Sequence, residues 1–253
     1  MRTLAITNQK GGVGKTTTAV NLAASLALLK RRVLLVDLDP QGNASVGFGI
    51  DKAALRQTIY QVLIGKVSLG DVIVKSACGV VDVAPANRDL AGAEVDLVGE
   101  DAREMRLKKA LLTLQYDEVI LDCPPALNLV TLNALVAADA VLIPMQCEYY
   151  ALEGLSDLIN TIRKVRIQLN TKLQIAGLLR TLFDARNMLA NQVSNDLVKH
   201  FGPKVYQTII PRSIRLAEAP SHGLSIFDYD KNSKGAQAYL ALAKELLGGL
   251  SHA

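Results

Sequence analysis

Arg2-Thr-Leu-Ala-Ile-Thr7 runs straight into Asn8-Gln-Lys-Gly-Gly-Val-Gly-Lys-Thr-Thr17, and a helical pattern then covers Lys15–Leu29. A short apolar strand, a glycine-rich turn and a helix start therefore follow one another without a spacer. Gly11, Gly12 and Gly14 let the backbone wrap so that successive N–H groups, Val13's among them, converge on an anion. The helix N-terminus adds its partial positive charge to the same point. Lys15 is placed to reach the β- and γ-phosphates of a nucleotide, Thr16 to offer its hydroxyl to Mg²⁺, and Thr17 to continue the loop into the helix. The loop is not a strict phosphate-binding motif. Gln9 stands where the first glycine is usual, and Lys10 is an extra lysine ahead of the double glycine. A glycine-rich turn with incidental lysines is the plainer alternative. Gly-Lys-Thr between a strand and a helix weighs against it.

Outward from this segment, strand-length apolar runs alternate with helical patterns to the end of the chain. The strands expected are Thr3–Thr7, Val33–Leu38, Val80–Ala84, Glu118–Asp122, Ala140–Pro144, Leu173–Leu182 and Val205–Ile210. Between them, helices are expected over Lys15–Leu29, Ala53–Ile64, Glu100–Leu114, Leu129–Ala137, Leu152–Gln168, Met188–Phe201 and Lys234–Leu247. Val33-Leu-Leu-Val36 and Val119-Ile-Leu121 are continuous rather than alternating, as strands covered on both faces should be. The pattern predicts an α/β fold: a doubly wound, mostly parallel sheet with helices on both faces and right-handed crossovers. No repeat, low-complexity tract or linker interrupts it, so residues 1–253 read as a single domain.

In such a sheet ligands bind beyond the carboxyl ends of the strands, so every loop that follows a strand lies on one edge. Two acidic strand ends join the phosphate loop there. Val33-Leu-Leu-Val-Asp-Leu-Asp39 leads into Pro40-Gln-Gly-Asn43, and Val119-Ile-Leu-Asp122 leads into Cys-Pro-Pro125. Asp122 suits a Mg²⁺ ligand acting through water, because Mg²⁺ usually keeps several waters. Asp39 is the candidate for orienting the attacking water, close to the same metal. Without the phosphate loop, either aspartate alone would read as a helix N-cap.

The chain has 253 residues, a net charge of +4, 50% hydrophobic and 21% charged residues. That composition supplies a core and excludes disorder as the main state. Three scattered cysteines without a Cys-x-x-Cys exclude a disulfide scaffold and read as small core residues of a reducing compartment. No targeting segment precedes the first strand, and Ala19–Leu29, the most apolar helical stretch, is too short to cross a bilayer. A cytoplasmic protein with no membrane partner is expected.

Lys10-Gly-Gly-Val-Gly-Lys-Thr-Thr17, Asp37-Leu-Asp-Pro-Gln-Gly-Asn43 and Asp122-Cys-Pro-Pro125 together resemble the deviant Walker A ATPases, specifically the ParA/Soj partition branch of the ParA/MinD group. The resemblance extends through Pro144–Gly154, Thr181–Arg186, Ile210–Gly223 and Tyr229–Gly235, and so spans nearly the whole chain. Ala126 and Asn128 depart from it, standing where relatives often carry Ser and Gly. The resemblance implies ATP and Mg²⁺ as ligands and a face-to-face homodimer formed around ATP. In it Lys10 crosses to the partner's nucleotide, Glu148 meets the partner's ribose, and Pro211 and Arg212 belong to an adenine-side loop. It also implies non-specific double-stranded DNA binding through Arg186 and Arg215, nucleoid association of the ATP form, and a ParB-like centromere-binding partner that stimulates hydrolysis.

Two other outputs compete. One is a MinD-like membrane switch; against it, the last helix carries a core-docking stripe (Ala236, Leu240, Ala243, Leu247) and stops in Gly248-Gly-Leu-Ser-His-Ala253 without a basic amphipathic extension. The other is an orphan ParA-like ATPase that positions a protein cargo. Surface arginines paired with Asp184 or Glu218 are the bland reading of the DNA-binding candidates. Lys30-Arg-Arg32 is expected to complement a helix dipole, and Arg163-Lys-Val-Arg166 to form a solvated helix face with an auxiliary DNA role. No DNA-binding extension is expected ahead of the first strand.

Overall fold

Eight strands form one sheet in the order β3-β4-β2-β5-β1-β6-β7-β8. They are β1 (Arg2–Ile6), β2 (Val33–Asp37), β3 (Val74–Lys75), β4 (Asp82–Ala84), β5 (Glu118–Asp122), β6 (Ala140–Gln146), β7 (Gln174–Phe183) and β8 (Val205–Pro211). All pairings are parallel except that of β3 with β4. The computed structural model describes residues 1–149 and 151–248. Tyr150 and the tail 249–253, on which the reading of the C-terminus partly rests, lie outside the described residues.

The continuous apolar strands are the central ones, and every residue of β2 and β5 is buried. Their side chains alternate between two cores. Leu34, Val36, Val119 and Leu121 pack on one face, under the helices Leu129–Ala137, Ala151–Gln168 and Met188–Phe201. Val33, Leu35 and Ile120 pack on the other, against the helices Lys15–Leu28 and Lys234–Gly248. A strand that feeds both cores has no face to give to water, which is why its sequence lacks polar alternation.

Three expectations are corrected. The helix expected over Ala53–Ile64 is broken: a short 3-10 turn covers Lys52–Ala54 and an α-helix begins only at Ile59. Thr58 stops it from extending backwards, because Thr58 and Gln61 form a reciprocal capping box. The helix expected over Glu100–Leu114 shrinks to Arg103–Met105 in 3-10 form and Arg106–Leu111 in α form. Lys30-Arg-Arg32 does not sit in the last helical turn; Lys30 takes a left-handed conformation that ends the helix. Arg31 and Arg32 then pair with Glu118 and Asp117. The antiparallel edge strand β3 is an element too short to show a period.

Register brings the functional strand ends level. Ile6 lies opposite Asp122, and Asp122 lies opposite Asp37, so β1, β5 and β2 finish side by side. The chain leaves β1 into the glycine loop at one end of this row, beside β5.

Candidate functional site

Gly12 and Gly14 have φ of +73° and +82°, a region open to glycine and costly for other residues. The loop they bend lines a cavity of about 390 Å³ with Gly11, Lys15, Thr16, Thr17 and Asp39. Val13 is buried beneath the loop. Side chains from neighbouring strands hold both limbs. Asn8 donates to the Pro144 carbonyl of β6 at 2.8 Å and accepts from the Lys10 N–H at 3.0 Å. Thr181 of β7 donates to the Val13 carbonyl at 2.7 Å. Lys15 is buried, and its ammonium donates to the Lys10 carbonyl at 3.1 Å, across the base of the loop. Burial pulls the Lys15 pKa down; Asp122 and Asp39 oppose that shift.

The two buried carboxylates beside it differ in their surroundings. Asp37 accepts from the Ser45 N–H and the Ser45 hydroxyl, both at 2.8 Å, and from the Asp39 N–H at 3.1 Å. Burial still pushes it up to about 6 against those donors. Its part is to anchor the turn that carries Asp39 and the start of the helix Asn43–Gly47. Asp122 is fully buried, and neither oxygen completes a hydrogen bond with any described donor. Burial first, and then the Asp37 charge, hold its pKa well above the usual carboxylate range, although Thr16 and Lys15 lie close enough to favour ionisation. Asp39 is half-buried, with Oδ1 held by the Gln41 N–H at 2.9 Å.

Buried oxygens without donors call for a cation. Asp122, the Thr16 hydroxyl and Asp39 supply hard oxygen atoms, the donor type Mg²⁺ takes. Among the described residues no three or more His, Cys, Asp or Glu side chains are grouped to hold a metal unaided. One or two carboxylates completed by phosphates and waters is the usual Mg²⁺ arrangement in nucleotide sites. The residues fit that ion.

The remaining candidates fall around this centre. Lys10 is exposed and forms an ion pair with Glu148 of the same chain, so the two residues implied to reach across a dimer meet each other here. Ile210 and Ser213 line the nucleotide-sized cavity. Pro211 and Arg212, between them, line an adjoining open groove of about 800 Å³ with Arg186 and Lys234. Arg186 is 90% exposed and grips Asp184 with both ends of its guanidinium, at 2.9 and 2.8 Å. That fork drops Asp184 to about 2. Arg215 reaches Glu218 at 3.1 Å and Asp230 at 3.6 Å. Asn8, Asp37 and Thr181 were not singled out for a role by sequence reasoning. Asp37 had a visible signal as a carboxylate ending a buried strand, whereas Thr181 falls in the Thr181–Arg186 block of the resemblance with no signal for a role of its own.

Residues 1–175 match the protein family described as an AAA domain. The sporulation initiation inhibitor protein Soj of Bacillus subtilis is 56% identical over 245 residues, 96% of this chain and 97% of that protein. The chromosome partitioning protein ParA of Caulobacter vibrioides is 50% identical over 251 residues, 98% of this chain and 94% of that protein. The crystal structure of cobyrinic acid a,c-diamide synthase from Mycobacterium smegmatis, with bound ADP and magnesium, superposes with a TM-score of 0.88 at 40% identity, covering 99% of this chain and 96% of that one.

Proposed function

This chain belongs to the ParA/Soj family of chromosome-partitioning ATPases, which work with ATP and Mg²⁺, and from that premise we propose how its residues perform the task. The 253 residues act as one ATPase domain. Val13, Gly14 and the N–H groups around them receive the phosphates, with Gly11, Gly12 and Thr17 shaping the cavity mouth. Lys15 meets the β- and γ-phosphates; its burial makes the charge more effective, because the local dielectric is low. Thr16, Asp122 and Asp39 would hold Mg²⁺, which when bound would supply positive charge against that developing on the phosphoryl oxygens. Asp39, fixed on one oxygen by Gln41, orients the water that attacks the γ-phosphate, and ATP and water become ADP and phosphate.

Lys10 leaves Glu148 and reaches the nucleotide of a second subunit. An exposed ion pair is worth about 0–1 kcal/mol, so the exchange costs little against a desolvated contact to a triphosphate. Glu148, once released, meets the partner's ribose, and the Pro211-Arg212 turn flanks the adenine. ATP thus joins the dimer and hydrolysis dissolves it. Arg186 and Arg215 lie in segments that follow β7 and β8, and dimerisation doubles them on one surface for the phosphates of duplex DNA. A ParB-like partner stimulates hydrolysis and releases the dimer, so the ATP form resides on the nucleoid within the cytoplasm. Among the described residues no helix is long and apolar enough to cross a membrane.

The observation that carries this reading is the buried Asp122, without a completed hydrogen bond among the described residues, beside a lysine-bearing phosphate loop that neighbouring strands already hold in shape. Sedimentation with and without ATP and duplex DNA tests it. Dimers should form with ATP and Mg²⁺ and bind arbitrary DNA, with a log–log salt slope near −4, as about four phosphate contacts require. Undiminished DNA binding by the Arg186→Ala/Arg215→Ala variant overturns the DNA surface. Asp39→Ala should keep nucleotide binding and dimerisation and lose turnover. A strictly monomeric ATP-loaded Asp39→Ala protein overturns the dimer. Flotation with liposomes in place of DNA binding selects a membrane output.

A further inference from the structure

Thr181 lies on β7, far in sequence from the glycine loop, yet its hydroxyl donates to the Val13 carbonyl at 2.7 Å. Both residues are buried, so this bond is made out of water, and each group would otherwise be left unsatisfied. The peptide between Val13 and Gly14 is planar and trans, which points the Gly14 N–H away from whatever the Val13 oxygen faces. With the oxygen tied to Thr181 of β7, the orientation of the Gly14 N–H is set by that bond. The next carbonyl, that of Gly14, is already taken by the Thr18 N–H at 2.9 Å, as the first bond of the helix. Gly14 itself sits at φ +82°, ψ +30°, where no side chain restrains its backbone. Nothing in the loop's own covalent structure sets the plane of that peptide; a side chain from another strand does.

We infer that Thr181 is a positioning residue for the ATPase: its hydroxyl fixes the orientation of the Val13–Gly14 peptide so that the Gly14 N–H is preset to receive a nucleotide phosphate. The residue after it strengthens the case for a site-directed constraint. Leu182 has φ +50°, a conformation costly for a side chain with a Cβ, and the pairing register between β7 and β8 shifts on either side of Arg180. β7 therefore gives up ladder regularity where it passes the loop, and both Thr181 and Leu182 line the cavity.

The inference rests on the phosphate-loop reading above, and Lys15→Ala separates the two. The probes are ATP and ADP with Mg²⁺, followed by direct calorimetric binding, by the nucleotide-induced rise in melting temperature and by steady-state hydrolysis. Thr181→Val keeps the shape and removes the hydroxyl. It should bind either nucleotide about fivefold more weakly, the equivalent of about 1 kcal/mol for one hydrogen bond. KM for ATP should rise similarly while kcat stays within twofold, because Thr181 touches none of the reacting atoms. Thr181→Ser should restore wild-type binding. Where the valine variant is poorly folded, Thr181→Ala against Thr181→Ser makes the same comparison, hydroxyl absent or present on a small side chain. Wild-type affinity in the valine or alanine variant overturns the inference, as does a serine variant no better than alanine. If Lys15→Ala also binds with wild-type affinity, the loop reading itself fails.

Discussion

Replacing Asp122 with asparagine removes the one carboxylate in the site that is fully buried and has no hydrogen-bond donor among the described residues. Its pKa is raised in the folded protein by burial, so folding there means keeping a proton that the unfolded chain has released. The folded state then binds more protons than the unfolded state, and stability falls as pH rises. The loss begins near the unfolded value of about 3.9 and continues until the folded carboxyl ionises. One such proton is worth about 1.4 kcal/mol per pH unit. Asp37, pushed up to about 6 mainly by burial, contributes a slope of the same sign, and because its charge acts on Asp122 the comparison reads the pair rather than Asp122 alone. Between pH 5 and pH 6 the wild-type protein should therefore lose stability relative to Asp122→Asn, by at most about 1.4 kcal/mol, or at most about 3–6 °C of melting temperature for a domain of this size. The assay is thermal unfolding of nucleotide-free protein with chelator across that interval, followed by repetition with Mg²⁺ and ATP. The added stabilisation by Mg²⁺ should be smaller in the variant. Parallel melting curves for the two proteins would refute the reasoning, because they would mean that Asp122 carries no perturbed proton.

Lys10→Ala should retain nucleotide binding and fail to dimerise, and an ATP-dependent dimer of normal strength in sedimentation would rule out its crossing role. Gly42→Ala should destabilise the protein by several kcal/mol: Gly42 has φ +61°, and a Cβ there would lie 2.5 Å from the Ala86 carbonyl oxygen, so denaturant unfolding should show a clear loss. Asp184→Asn frees Arg186 from its fork and should raise duplex-DNA affinity a few-fold, with no gain in an Arg186→Ala background; equal gains in both backgrounds would mean that Asp184 acts only as general negative charge.

The extent to which the site was legible differs from residue to residue, and the reasons are physical. Lys15, Thr16 and the loop glycines are neighbours in the chain, so their chemistry is written as a spacing. β5 and the helices Leu129–Ala137 and Met188–Phe201 begin and end where the sequence places them, because apolar period and flanking residues agree there. The helix over Ala53–Ile64 was over-extended, since period alone cannot register that Thr58 and Gln61 close a cap between two segments, and the one over Glu100–Leu114 was over-extended at both ends.

The sequence by itself determined the doubly wound sheet and the edge on which its chemistry gathers, because burial on both faces dictates continuous apolar strands and loops must follow them. Only the tertiary structure decided that neither Asp122 oxygen completes a hydrogen bond among the described residues, that Lys10 and Glu148 hold each other within one subunit, and that Thr181 bonds a carbonyl 168 residues away. Those facts depend on strand order and register, which bring distant positions within hydrogen-bond range, and no local pattern of residues encodes such a distance.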